Sequence, residues 1–136
     1  MQSTCFDRGG KGEKKKMINS IDNFMINMLE FLPMVKETYY ENLKNGERLD
    51  TVVIEDIFMP EIIRLLLNDE NEDLLKRMFQ YIEEVLNNNL YLRDLLSVTL
   101  FEMLGNDKDI LNKAYRYMGD NSRLLQIEAD KQLGRI

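Results

Sequence analysis

The chain has 136 residues, 44% apolar and 31% charged, with a formal charge of −6. This length suits one domain with its own core, and the balance excludes both a disordered and a membrane-embedded chain, since no apolar run nears the ~18–20 residues that cross a bilayer. With no histidine and one cysteine, Cys5, the chain lacks an imidazole base, a Ser–His or Cys–His nucleophile, a His/Cys metal cluster and an internal disulfide, so a cytoplasmic, non-catalytic protein without cofactor or metal is expected.

Residues 1–16, MQSTCFDRGGKGEKKK, have no periodicity and read as a disordered basic tail. Gly-Gly-Lys-Gly-Glu-Lys-Lys-Lys resembles a translated purine-rich stretch, so Met17 is expected to be the true start, with 17–136 forming a single helical domain. Gly9, Gly10, Gly12 and Lys14 lack P-loop spacing. No signal peptide is expected, because an amphipathic helix and not a plain apolar block follows the basic stretch.

Helical periodicity then organises the rest. From about Ser20 to Phe31, the residues Ile21, Phe24, Met25, Met28, Leu29 and Leu32 share one stripe. Pro33 is placed to start a helix to Leu43, with Val35, Tyr39 and Leu43 inward and a stop near Asn45-Gly46. Val52-Val53-Ile54 fits a short strand by composition, but Val53, Ile54, Ile57 and Phe58 also fit a helical face. The spacing predicts a short helix, a break at Met59-Pro60, and a second short helix to Asn68 bearing Ile62, Ile63, Leu66 and Leu67.

Asp69 and Glu72 have capping-box spacing. The helix they open carries Leu74, Leu75, Met78, Phe79, Ile82, Val85 and Leu86, and Asn87-Asn88-Asn89 ends it. Leu90–Leu104 is apolar nearly all round, which predicts a central helix, the most buried, with Gly105 at C′. A helix from Asp107 carries Ile110, Leu111, Ala114, Tyr115 and Met118 up to Gly119. The last runs from about Asn121 to Leu133, with Leu124, Leu125 and Ile127 inward and Gly134 beyond. The fold expected is all-α: an irregular helical bundle or HEAT-like α-solenoid of six to eight helices, without a clean internal repeat.

The charge is unevenly spread. Residues 1–16 contribute +3, 17–46 contribute −2, 47–84 contribute −7, and 85–136 balance. An acidic middle argues against nucleic acid and suits a basic protein partner. Asp69-Glu70-Asn71-Glu72-Asp73 opens like a calcium loop, but Leu74 and Gln80 stand where glycine and glutamate are required. Glu83 and Glu84 are adjacent on a helix and diverge by about 100°. Glu55, Asp56 and Glu61 flank the expected break; an enzyme built on them, alone or with Mg²⁺, requires that they converge in one pocket. Tyr40, Tyr91 and Tyr117 lie off or at the ends of the apolar stripes, where tyrosines serve as interface anchors or as wet-ended covers of the core. The candidate partner-binding set is therefore Glu55, Asp56, Glu61, Asp69, Glu70, Glu72, Asp73, Tyr40, Tyr91 and Tyr117.

A resemblance rests on Glu55-Asp56-Ile57-Phe58-Met59-Pro60-Glu61-Ile62, on Asp73-Leu74-Leu75-Lys76-Arg77-Met78-Phe79, on the stretch from Arg93 to Glu102, and on Tyr117-Met118-Gly119-Asp120. The region from about Phe31 to Gly134 resembles a family of small, uncharacterised bacterial all-helical domains similar to toxin-immunity proteins. The resemblance implies no established activity and supplies no catalytic residue; together with the acidic middle segment and the missing catalytic repertoire it leads to the expectation of a protein that blocks a toxin or effector by covering it. The competing expectation is a regulatory or scaffold domain that takes a peptide helix in a groove. Neither nucleic acid nor membrane is an expected partner, and no feature of the sequence specifies an oligomeric state.

Overall fold

The computed structural model describes residues 21–136; the tail 1–16, Cys5, Met17 and the expected helix start at Ser20 lie outside the described residues. Seven helices and no strand occur among the described residues. Helix α1 covers 21–31. A 3₁₀ turn over Pro33–Val35, with Pro33 at its first position, leads into α2 (Lys36–Lys44). Helix α3 covers 50–67, α4 is Glu72–Asn88, α5 covers 90–104, α6 is Lys108–Tyr115 and α7 is Asp120–Gln132.

The break expected at Met59-Pro60 is absent: α3 runs through it. Its stretches are Asp50–Val52, a π-helical Val53–Phe58, and Met59–Leu67. Proline offers no N–H to the carbonyl one turn back, and its ring collides with that carbonyl in an ordinary α-helix. The wider turn makes room: Met59 N–H reaches the Ile54 carbonyl, five residues back. Val53, Ile54, Ile57 and Phe58 are buried on this turn, so the strand alternative also falls away. Helix α5 has a similar widened stretch, Ser97–Phe101, where the buried Thr99 hydroxyl donates to the Leu95 carbonyl at 2.7 Å. The two widened stretches pack against each other at the centre of the molecule.

Helix α4 is opened by Asn71, not by the Asp69/Glu72 box. Asn71 adopts the left-handed conformation (φ 55°), and its side chain accepts from Leu74 N–H at 3.3 Å. Asp69 is also left-handed (φ 49°), and its carboxylate is turned onto Lys113 at 2.9 Å and not onto the helix end. Asn89 closes α4 and opens α5, accepting from Leu92 N–H at 2.9 Å. Asp107 caps α6 through Asp109 and Ile110 N–H.

One hydrophobic cluster links all seven helices, including Phe24, Met28, Phe58, Ile62, Phe79, Ile82, Leu96, Leu100 and Phe101. Helix α5 shares the centre with α3 and is not buried along its whole length, because Leu90, Tyr91 and Val98 are exposed. Helix α3 packs on α6, and α4 on α7. Such contacts, three helices apart in the chain, tie the helices into an irregular bundle. No helix among the described residues is long and apolar enough to cross a membrane.

Helix α7 departs most from the periodicity reading. Leu125 is inward as expected, but Leu124 and Ile127 are exposed. The inward positions are Ser122, Leu125, Gln126, Ala129 and Asp130. That face was hidden in the sequence because three of its five side chains are polar, and Ser122 and Gln126 find partners only in Glu83 and Phe101, far away in the chain.

Candidate functional site

Residues 1–16 hold five of the 18 basic groups and two of the 24 acidic ones, so the rest of the chain carries −9. Tertiary pairing decides where that charge stays available. The expected acidic site does not form one surface; it separates into three places.

The first is an open groove of about 400 Å³ between α2 and α3. Thr38, Glu41, Asn42 and Asn45 recur at helical spacing along α2, with Lys44 beside them. Val52, Asp56 and Ile57 face them from the widened turn of α3. Asp56 and Glu41 are exposed, and neither has an ion-pair partner among the described residues. Glu55 is half-buried and does not line the groove. Glu61 is turned onto Arg64, which it holds with both oxygens at 3.0 and 2.6 Å. Glu55, Asp56 and Glu61 therefore do not converge, and no group of three or more His, Cys, Asp or Glu among the described residues could hold a metal ion.

The second place is the turn between α3 and α4. Arg64 also reaches Glu70 at 2.9 Å. Asp69 pairs with Lys113 at 2.9 Å and faces Arg116 at 3.8 Å. Asp73 pairs with Arg77 at 3.1 Å. The Lys113 hydrogen bond holds the Asp69 carboxyl below its ordinary range, against a smaller opposing effect of burial. Glu72 alone of this group lacks an ionic partner among the described residues. What reads as an acidic run in sequence is mostly paired: Asp69 ties the turn to α6, while Glu70 and Asp73 are held by Arg64 of α3 and Arg77 of α4. Tyr117 is packed on Phe79 with ring centroids 5.8 Å apart.

The other two tyrosines stand apart. Tyr40 is half exposed on α2 and meets Tyr39 edge-on at 5.1 Å. Tyr91, the third place, lies at the start of α5, with its hydroxyl 3.4 Å from the Asp50 carboxylate. A smaller open hollow of about 250 Å³ lies between α1, α4 and α5, lined by Asn23, Tyr81, Glu84, Asn88 and Asn89.

Sequence reasoning passed over two polar arrangements that hold the fold. Glu83, set aside as a diverging neighbour of Glu84, caps α7 from another helix. Its carboxylate accepts from the backbone N–H groups of Asn121 (2.8 Å) and Ser122 (2.9 Å), and from the Ser122 hydroxyl (2.8 Å). Burial works to raise the Glu83 pKa, but these donors at a helix N-terminus outweigh it and lower the value. Gly119 makes the approach possible: a Cβ there would lie 2.6 Å from the Glu83 carboxyl carbon.

The second arrangement closes the other end of α7. The Gln126 amide donates to the Phe101 carbonyl at 2.8 Å, in the widened turn of α5, and to Asp130 at 3.3 Å. Buried Asp130 pairs with Arg135 at 3.0 Å. Gly134, left-handed at φ 74°, turns the chain so that Arg135 N–H reaches the Asp130 carbonyl at 2.8 Å, the usual glycine stop of a helix. The glycine signal at 134 was readable; the partners of Glu83 and Gln126 were not, because they are fixed by packing.

Against this geometry stand the comparisons with known proteins. The family described as a domain of unknown function, DUF7674, matches residues 25–134, and the chain belongs to that family. No curated protein and no solved structure matches the chain.

Proposed function

We propose that the protein is a non-catalytic, cytoplasmic binding domain that takes a basic protein partner on its α2–α3 face. An immunity-type role, in which a bacterial toxin or effector is neutralised by being covered, is the reading we favour. One observation carries it: Asp56 and Glu41 remain exposed and unpaired among the described residues beside the groove, while Glu61, Asp69, Glu70 and Asp73 are each paired with a basic side chain. Uncompensated carboxylates at a concave surface draw in a basic partner and speed its capture. Tyr40, half exposed on the same helix as Glu41, offers an amphipathic anchor beyond the groove itself.

The test is capture from the native host with the wild-type chain and with Glu41→Lys/Asp56→Lys. A basic protein retained by the wild type and lost by the double variant supports the reading. Equal retention by both would place the interface elsewhere. A second reading, a regulatory or scaffold domain holding a peptide helix, draws on the apolar floor made by Val52 and Ile57. Under it, Val52→Ala weakens the complex more than the charge reversals do.

A further inference from the structure

Helix α7 is amphipathic in an unusual sense, because its polar side chains Ser122, Gln126 and Asp130 are buried while Leu124 and Ile127 are 57% and 37% exposed. Directly opposite the buried face lie Asp120, Leu124, Ile127 and Lys131, at successive spacings of four, three and four residues. That is the seam spacing of paired helices, and it forms a stripe about 16 Å long. Asp120 and Lys131 are exposed and have no ion-pair partner among the described residues. Arg123, on one flank, is turned back onto the Tyr115 carbonyl at 2.9 Å and leaves the stripe open.

Read along the helix, the stripe is acidic, apolar, apolar, basic. That order is self-complementary only when reversed. A second α7 laid antiparallel sets Asp120 against Lys131, Leu124 against Ile127, and the same two layers again across the two-fold axis. A parallel copy would set like charges together. We propose that α7 is an isologous antiparallel contact through which two copies of this chain associate. A single pair of 13-residue helices is small beside the ~800 Å² per partner of a standard interface, so the dimer is a weak one, populated at high protein concentration. The inference does not rest on the partner reading above, since no residue of α7 lines the α2–α3 groove.

The test is sedimentation equilibrium on the full 136-residue chain from about 10 µM to about 1 mM, a range that brackets weak association. The variants are Asp120→Lys, Lys131→Asp, the double swap, and Leu124→Glu; all the sites are exposed, and circular dichroism confirms that each variant is folded. The wild type should dimerise, and more tightly at low salt. Each single reversal places like charges together twice and should raise the dissociation constant at least about tenfold; Leu124→Glu should abolish association. The double swap should restore it. A wild type monomeric throughout, single reversals with wild-type affinity, or a double swap that fails to restore association would each overturn the proposal.

Discussion

Replacing Gly105 by alanine should destabilise the protein, against the usual direction of such a change. Gly105 closes α5 with φ −76°, a conformation open to any residue, so backbone strain is no obstacle. At a helix end the substitution would ordinarily be neutral or stabilising by up to ~1 kcal/mol, because alanine loses less entropy on folding. Here the new Cβ would collide with the Asp130 carboxylate and stand 2.5 Å from the Arg135 guanidinium and 3.0 Å from the Gln126 amide nitrogen. Asp130 cannot retreat, since it is 3% exposed and lies against the core. Arg135, about a quarter exposed, is the group that must yield. Separating a buried ion pair costs ~3–5 kcal/mol, and the partial exposure of Arg135 reduces that. After the helix gain is subtracted, a loss of roughly 2–3 kcal/mol remains. Urea unfolding followed by circular dichroism measures it, with Arg135→Ala as reference. Because both substitutions disable one ion pair, their effects should be strongly sub-additive. A neutral or stabilised Gly105→Ala would refute the reasoning.

Glu83→Ala removes the cap of α7 and should cost about 1 kcal/mol at neutral pH, the usual worth of an N-cap side chain. Since the folded Glu83 pKa is lowered, its contribution is complete above its ordinary value of 4.5 and fades as pH falls below it. The stability gap between wild type and variant should therefore narrow from pH 7 to pH 3; a gap that widens on acidification would contradict the assignment. Leu96→Ala and Phe101→Ala, at fully buried positions of α5, should each cost ~2–5 kcal/mol in denaturant titrations, and losses below ~1 kcal/mol at both would displace α5 from the centre.

Much of the fold is legible in the sequence, because apolar stripes at 3.6-residue spacing need only that each helix bury one face. Phe24 and Met28 in α1, Leu32 just after it, and Met78, Phe79 and Ile82 in α4 are buried as that rule requires. The rule fails where polar groups occupy the core. Helix α7 turns Gln126 and Asp130 inward because the Phe101 carbonyl, 25 residues away, accepts from the Gln126 amide and Arg135, just beyond the helix, pairs with Asp130. Pro60 signals a disturbance correctly, but whether a helix breaks or widens depends on what packs around it. The acidic run 69–73 was visible, and so was the i,i+4 spacing of Asp73 and Arg77, while the pairing of Asp69 with Lys113 required knowing that α6 lies beside the turn. A glycine such as Gly119 reveals its purpose only once Glu83 is seen against it.

The claim that the α2–α3 face binds a basic protein is tested most directly by titrating the captured partner into the wild-type chain and into Glu41→Lys/Asp56→Lys by calorimetry at two ionic strengths. The account predicts that the wild type binds more tightly at low salt, and that the double variant binds at least about tenfold more weakly while melting at the wild-type temperature. Equal affinities for the two proteins, with no dependence on salt, would contradict it.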